Sequence, residues 1–245
     1  MQLAALPISR LPLRETLVFG TALTLAAYGA GVAIQKKLRG NPLANPVLIA
    51  VMTISAVLLF TGTSYREYFA GARIVHFLLG PATVALAIPL AENIRRLRSG
   101  LTGAIAAIAA GAFVSAATGL WLVHLLGGSA LVADSMAPKA ATTPIAMGIA
   151  QGVGGEPSLT ATFAILAGIL VSIAVEHLLR WAKVKDWRAF GLAAGTAGSG
   201  IGTARAFQLN EQAGAFAGLA LGLNGLVTAI LVPLLVHLTS LVTGR

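Results

Sequence analysis

Gly195-Thr-Ala-Gly-Ser-Gly-Ile-Gly-Thr-Ala-Arg205 is the stretch on which the reading of this chain turns. It is apolar enough to lie in a membrane, yet its glycines at 195, 198, 200 and 202 weaken any helix, each by about 1 kcal/mol relative to alanine, and it ends on an arginine. Two other apolar stretches carry helix breakers: Phe77-Leu-Leu-Gly-Pro-Ala-Thr-Val-Ala-Leu-Ala-Ile-Pro-Leu90 and Met136-Ala-Pro-Lys-Ala-Ala-Thr-Thr-Pro-Ile145. Irregular backbone at membrane depth is tolerated only where protein or a wet cavity satisfies its N–H and C=O groups. Broken helices of this kind build the substrate sites of secondary transporters.

Composition says that the surroundings are lipid. The chain of 245 residues is 57% hydrophobic and 10% charged, with a mean hydropathy of +0.85. So few charges cannot cover a soluble surface, where about a quarter of residues are charged. The net charge of +9 sits in short clusters, Lys36–Arg39, Arg95–Arg98 and Arg180–Arg188. That is the pattern of cytoplasmic loops under the positive-inside rule, and it argues against a nucleic-acid surface. Cysteine is absent, which removes thiol redox chemistry, disulfides and thiolate metal sites. Apolar runs long enough to cross are Thr16–Gln35, Pro42–Gly62 with Pro42 near a first-turn position, Leu101–Leu126 and Leu159–Trp181. The last run, Ala213–Val242, reads as one tilted helix or as a shorter one preceded by a break at Asn224-Gly225.

The chain also looks duplicated. A gapless shift of 119 residues lays Tyr65–Glu92 on Val184–Glu211, aligning Gly80-Pro81 with Ser199-Gly200 and Glu92 with Glu211. The loop at 36–39 is basic and its counterpart at 155–158 is not; the loop at 180–188 is basic and its counterpart at 61–69 is nearly neutral. Two halves inserted in opposite senses show this pattern. The expected fold is therefore an all-α polytopic membrane protein of two inverted repeats, residues 1–119 and 120–245, each of about five helical segments broken near the midplane. Five crossings per half place Arg95–Arg98 outside, against the rule, so the count stays open between about eight and twelve.

The three broken stretches resemble the LrgB/CidB family of bacterial holin-associated membrane proteins, which includes the plastid glycolate/glycerate translocator of plants. Pro81-Ala-Thr-Val-Ala-Leu-Ala-Ile-Pro-Leu90, Pro138-Lys-Ala-Ala-Thr-Thr-Pro-Ile-Ala146, and Gly202-Thr-Ala-Arg-Ala206 with Glu211 and Gly214-Ala-Phe216 carry the likeness, which runs from about Leu17 to the end. The resemblance implies carriage of small monocarboxylates of the glycolate, glycerate or pyruvate type. It also implies a small LrgA/CidA-type membrane partner, a role for some members in murein hydrolase control and lysis, and a place in the bacterial inner membrane. The chain departs from the family at Ser199, where histidine is common, and at Ala91, where an aromatic residue is common.

An anionic substrate in lipid needs positive potential, which half-helix N-termini supply. Pro81, Pro138 and Pro144 each suit a helix start, and Thr142 and Thr143 add hydroxyls before Pro144. A lone membrane threonine equally well bonds back to its own helix. Arg205 matches a carboxylate with its planar fork, or pairs structurally, for instance with Glu211. Lys139 reaches a substrate or snorkels to the interface. Asn224 holds a break open or bonds between helices. Thr83, Gly202 and Thr203 complete the candidate substrate-binding set. Glu211 and Glu92 occupy equivalent places and are candidates for ion coupling, or else solvated helix-end charges. His76, His124, His177 and His237 form no metal pattern, no nucleophile–base constellation appears, and no cofactor is implied. The expectation is a non-enzymatic secondary carrier in a lipid bilayer, with room for homo-oligomers. The alternatives are a holin-like accessory protein and a passive channel. The segment Tyr65–His76 places Arg66, Arg73 and His76 near one helical face, which suits an interfacial amphipathic helix or, as the second choice, a helix lining a wet path.

Overall fold

The computed structural model describes residues 13–41, 44–85 and 101–243. Glu92 and the 95–98 cluster lie outside the described residues. Ten helices and no strand occur among those described: α1 Leu13–Lys37, α2 Pro46–Thr61, α3 Tyr65–Gly71, α4 Arg73–Ala85, α5 Leu101–Leu125, α6 Ala130–Met136, α7 Thr143–Val153, α8 Pro157–Trp181, α9 Trp187–Leu209 and α10 Glu211–Thr243. Four of them, α1, α5, α8 and α10, are long and apolar enough to cross a bilayer. Large apolar side chains stand outward on these and neighbouring helices, among them Phe60 at 91% and Trp181 at 84% exposure. Lipid is the solvent that makes such exposure favourable. The chain is an all-α, polytopic, integral membrane protein.

The chain divides after Val84 into two compact units. In the first, α1 packs on α2 and α3. Gly31 leaves room for the Pro46 backbone, Thr21 donates to the Gly71 carbonyl at 2.8 Å, and Thr24 meets the Tyr68 hydroxyl at 2.8 Å. Helix α2 begins at Pro46, four residues later than Pro42 suggested. The reason is local: Asn45 is extended, and its side chain accepts from the amides of Val47 and Leu48, with proline in the first turn. The Tyr65–His76 segment is two helices rather than one. A capping box of Ser64 and Glu67 starts α3, which ends at Gly71, and α4 starts at Arg73. Pro81 stands inside α4 rather than at a helix start, and Thr83 lies in its last turn. Pro81 supplies no N–H to the helix ladder there.

The second unit contains the remaining helices. α5 and α10 run parallel: Ala104 and Ile108 cluster with Phe216, Leu219 and Ala220 near one end, and Ala116 and Leu120 with Val232 further along. α10 is continuous through Asn224-Gly225, which is the first of the two sequence readings, a single helix, rather than the second, with a break there. Its 33 residues span about 50 Å, enough to cross with tilt. α8 is capped by Glu156 and ends on the basic loop.

α9 is a re-entrant hairpin rather than a crossing. Its backbone leaves helical geometry at Ser199, with φ 51° and ψ −141°. Before that point it runs parallel to α10, since Gly191 lies against Ala213 and Gly195 against Ala217. After it the chain turns back. Gly202 abuts the Ala194 carbonyl, Ala206 joins Phe190 and Ala194 in one cluster, and Arg205 reaches Glu176 near the end of α8. Each limb is about ten residues, or roughly 15 Å, half of a hydrocarbon core. Asp186 caps the first limb by accepting from the Arg188 amide at 2.8 Å. The Arg188 side chain, with its amide, holds the Asp186 carboxyl below its ordinary range.

A second hairpin enters from the opposite face. Ala133 and Ala137 of α6 and its extension pack with Leu120 and Ala116, descending along α5. The chain turns through residues 137–142, and α7 climbs back parallel to α10, with Ile145 beside Gly225 and Ile149 packed near Val232. Its ends close on each other, because Ser135 Oγ accepts from the Glu156 amide at 2.8 Å.

Candidate functional site

The two hairpin tips meet at Asn224. This residue is fully buried on α10, and its Nδ2 donates to the Ala140 carbonyl at 2.9 Å and to the Thr196 carbonyl at 3.2 Å. One acceptor belongs to the turn between α6 and α7, the other to the end of the first α9 limb. Both carbonyls would otherwise be orphans of broken helices. Of the two sequence readings for Asn224, bonding between helices is what the structure shows. Thr228, one turn on, lies 3.5 Å from its Oδ1.

On the α7 side, Thr142 is the N-cap and Pro144 sits in the first turn, as a helix start requires. Thr143 is the first helical residue. The Thr142 side chain makes no capping bond, and its buried Oγ1 has no hydrogen-bond partner. Pro138 is not at a helix start; it follows the Ala137 cap of α6, in the turn. Lys139, next in sequence, turns toward α5 and donates to the Ser115 carbonyl at 2.6 Å. A side chain at Gly119 would come within 2.9 Å of its Nζ, so this glycine makes room for the ammonium. Lys139 therefore lies along the middle of α5 rather than at an interface.

On the α9 side, Gly202 is required by the close return past Ala194. Thr203 bonds back to the Ser199 carbonyl at 2.8 Å and lies 3.4 Å from the Ala217 carbonyl. Arg205 is buried, 8% exposed, and its ion partner is Glu176 at 3.0 Å. The other Glu176 oxygen takes Arg180 at 2.6 Å. Glu176 is the acid in the apolar run of α8, and an acid in such a place calls for a cation; that signal could have found the pair. Glu211 is exposed in the first turn of α10, a favourable place for an acid next to a helix N-terminus. Pro81 and Thr83 belong to the first unit. No group of His, Asp or Glu among the described residues could hold a metal ion.

This pattern of breaks coincides with a known family. A family model described as LrgB-like matches residues 24–238, which include both hairpins and Asn224. The chain belongs to the LrgB-like family. The antiholin-like protein LrgB of Bacillus subtilis (strain 168) is 35% identical over 220 residues, 90% of this chain and 95% of the relative. The antiholin-like proteins LrgB of Bacillus mycoides (strain KBAB4) and Bacillus cereus (strain B4264) are each 34% identical over 217 residues, covering 88% of this chain and 94% of each relative. No solved structure matches the chain. This LrgB-like protein is an integral protein of the plasma membrane. Ser199 stands at the tip of the α9 hairpin, at a positive φ that side chains seldom adopt.

Proposed function

We propose that this LrgB-like protein is a secondary carrier of small monocarboxylates of the glycolate, glycerate or pyruvate type. The observation that carries the reading is the meeting of two oppositely inserted hairpins on one buried asparagine. Such tips present half-helix ends to each other in mid-membrane, where a solute would be held while access alternates. Two inverted repeats of about five segments, and coupling to a proton or sodium gradient, belong to the same proposal. The test is uptake of labelled glycolate and pyruvate by purified protein in liposomes under each gradient. Saturable accumulation of at least one is expected; no accumulation of either contradicts the reading.

A second reading is an antiholin-like accessory that acts on murein hydrolases and lysis with an LrgA/CidA-type partner. The names of the relatives support it more directly than they support carriage. A variant that inserts normally but moves no solute separates the two. If it still restrains lysis in cells, the accessory role does not depend on transport.

A further inference from the structure

We propose that the N-terminus of α7 and the ammonium of Lys139 form the carboxylate subsite of this carrier, and that its lone positive charge selects monoanions over dianions. The inference rests on the carrier reading and assigns the residues and the charge of its site.

The geometry points there from two directions. The first is the helix start. The first turn of any helix leaves its leading amides without intrahelical partners; here these are the amides of Thr143 and Ile145, since Pro144 has none. An N-cap threonine ordinarily covers one of them with its hydroxyl. Thr142 does not, although it is extended (φ −61°, ψ 146°) and its hydroxyl is buried without a partner. A buried hydroxyl beside uncovered amides is a donor set for an oxyanion.

The second is charge. A lysine ammonium has three donors. One goes to Ser115, and no acidic side chain among the described residues lies within ion-pairing distance of Lys139. Asp134, five residues earlier, is placed with Gly155 at the outer end of the hairpin. Arg205, the buried cation of the α9 hairpin, is matched by Glu176. Lys139 and Thr142 are three residues apart, about 10 Å at full extension, and Asn224 pins the backbone between them at Ala140. The tips thus offer one full charge plus the helix dipole, worth about half a charge. A monocarboxylate balances this. A second carboxylate would enter low dielectric without a counter-charge.

The test uses the full-length protein in detergent, titrated with labelled glycolate, with malonate as the dianionic competitor. Wild type binds glycolate, and malonate fails to displace it at concentrations where unlabelled glycolate does. Thr142→Val weakens binding by about tenfold, the loss of one charge-assisted hydrogen bond, and Thr142→Ser recovers most of that loss. Lys139→Gln weakens binding by more than tenfold while its elution profile and melting transition stay close to wild type. Glycolate binding unaffected by either substitution, displacement by malonate equal to that by glycolate, or no binding to wild type would each overturn the subsite. The two readings fail separately. Wild type that binds in this pattern but moves nothing in liposomes sinks the carrier and leaves the subsite. Transport that survives in both Thr142→Val and Lys139→Gln sinks the subsite and leaves the carrier.

Discussion

At the scale of single residues, Asn224 does what no apolar side chain could. Its fully buried amide supplies two donors to carbonyls that belong to different broken helices. Replacing it with leucine of similar size leaves both carbonyls buried and unpaired. Asn224→Leu should lower stability by about 1 to 3 kcal/mol, read as a drop in melting temperature of the detergent-purified protein. An unchanged transition would mean that the tips do not depend on this staple. Part of this was legible in the sequence: an asparagine in an apolar run is costly and must have a purpose. Its partners were not legible, because both are backbone carbonyls, which any residue carries. Thr142 shows the converse. Its place at a helix start follows from the Pro144 beside it, but its lack of a capping bond is a matter of side-chain direction, which sequence does not specify.

At the scale of elements, α9 has 23 residues, a length that suits a crossing as well as it suits a hairpin. Its glycines announce a break, and the break is there at Ser199. They do not announce the direction in which the chain leaves it. The return is held by contacts remote in sequence: Val171 and Gly168 of α8 against Gly198 and Ile201, and Glu176 against Arg205. Arg205 stood out in sequence as a substrate ligand or a structural pair. Its salt bridge ties the returning limb to α8, and the partner is 29 residues upstream rather than the nearby Glu211. Arg205→Glu should destabilise the fold. The loss should exceed the roughly 1 kcal/mol of a surface pair and stay below the 3 to 5 kcal/mol typical of breaking a fully buried one. Adding Glu176→Arg should restore much of the loss in melting temperature. A double variant no better than the single one would show that the pair is not what holds the limb.

At the scale of the whole molecule, composition was enough to establish a helical protein in lipid, and the order of three broken stretches was enough to indicate the family. The number of crossings was not legible, because hydropathy counts apolar length and a re-entrant hairpin is apolar without crossing. Within the second unit, α6–α7 enters from one face and α9 from the other, an arrangement that lies wholly inside residues 120–245. The absence of cysteine gives a clean background for testing this. Single cysteines at Ser158, Lys185 and Gln212, all exposed near helix ends, can be labelled with an impermeant maleimide in intact cells and in inverted vesicles. If α9 is re-entrant, Lys185→Cys and Gln212→Cys label from the same face and Ser158→Cys from the other. Lys185→Cys and Gln212→Cys labelling from opposite faces would show that α9 crosses the membrane, and the meeting of two hairpin tips at Asn224 would fall with it.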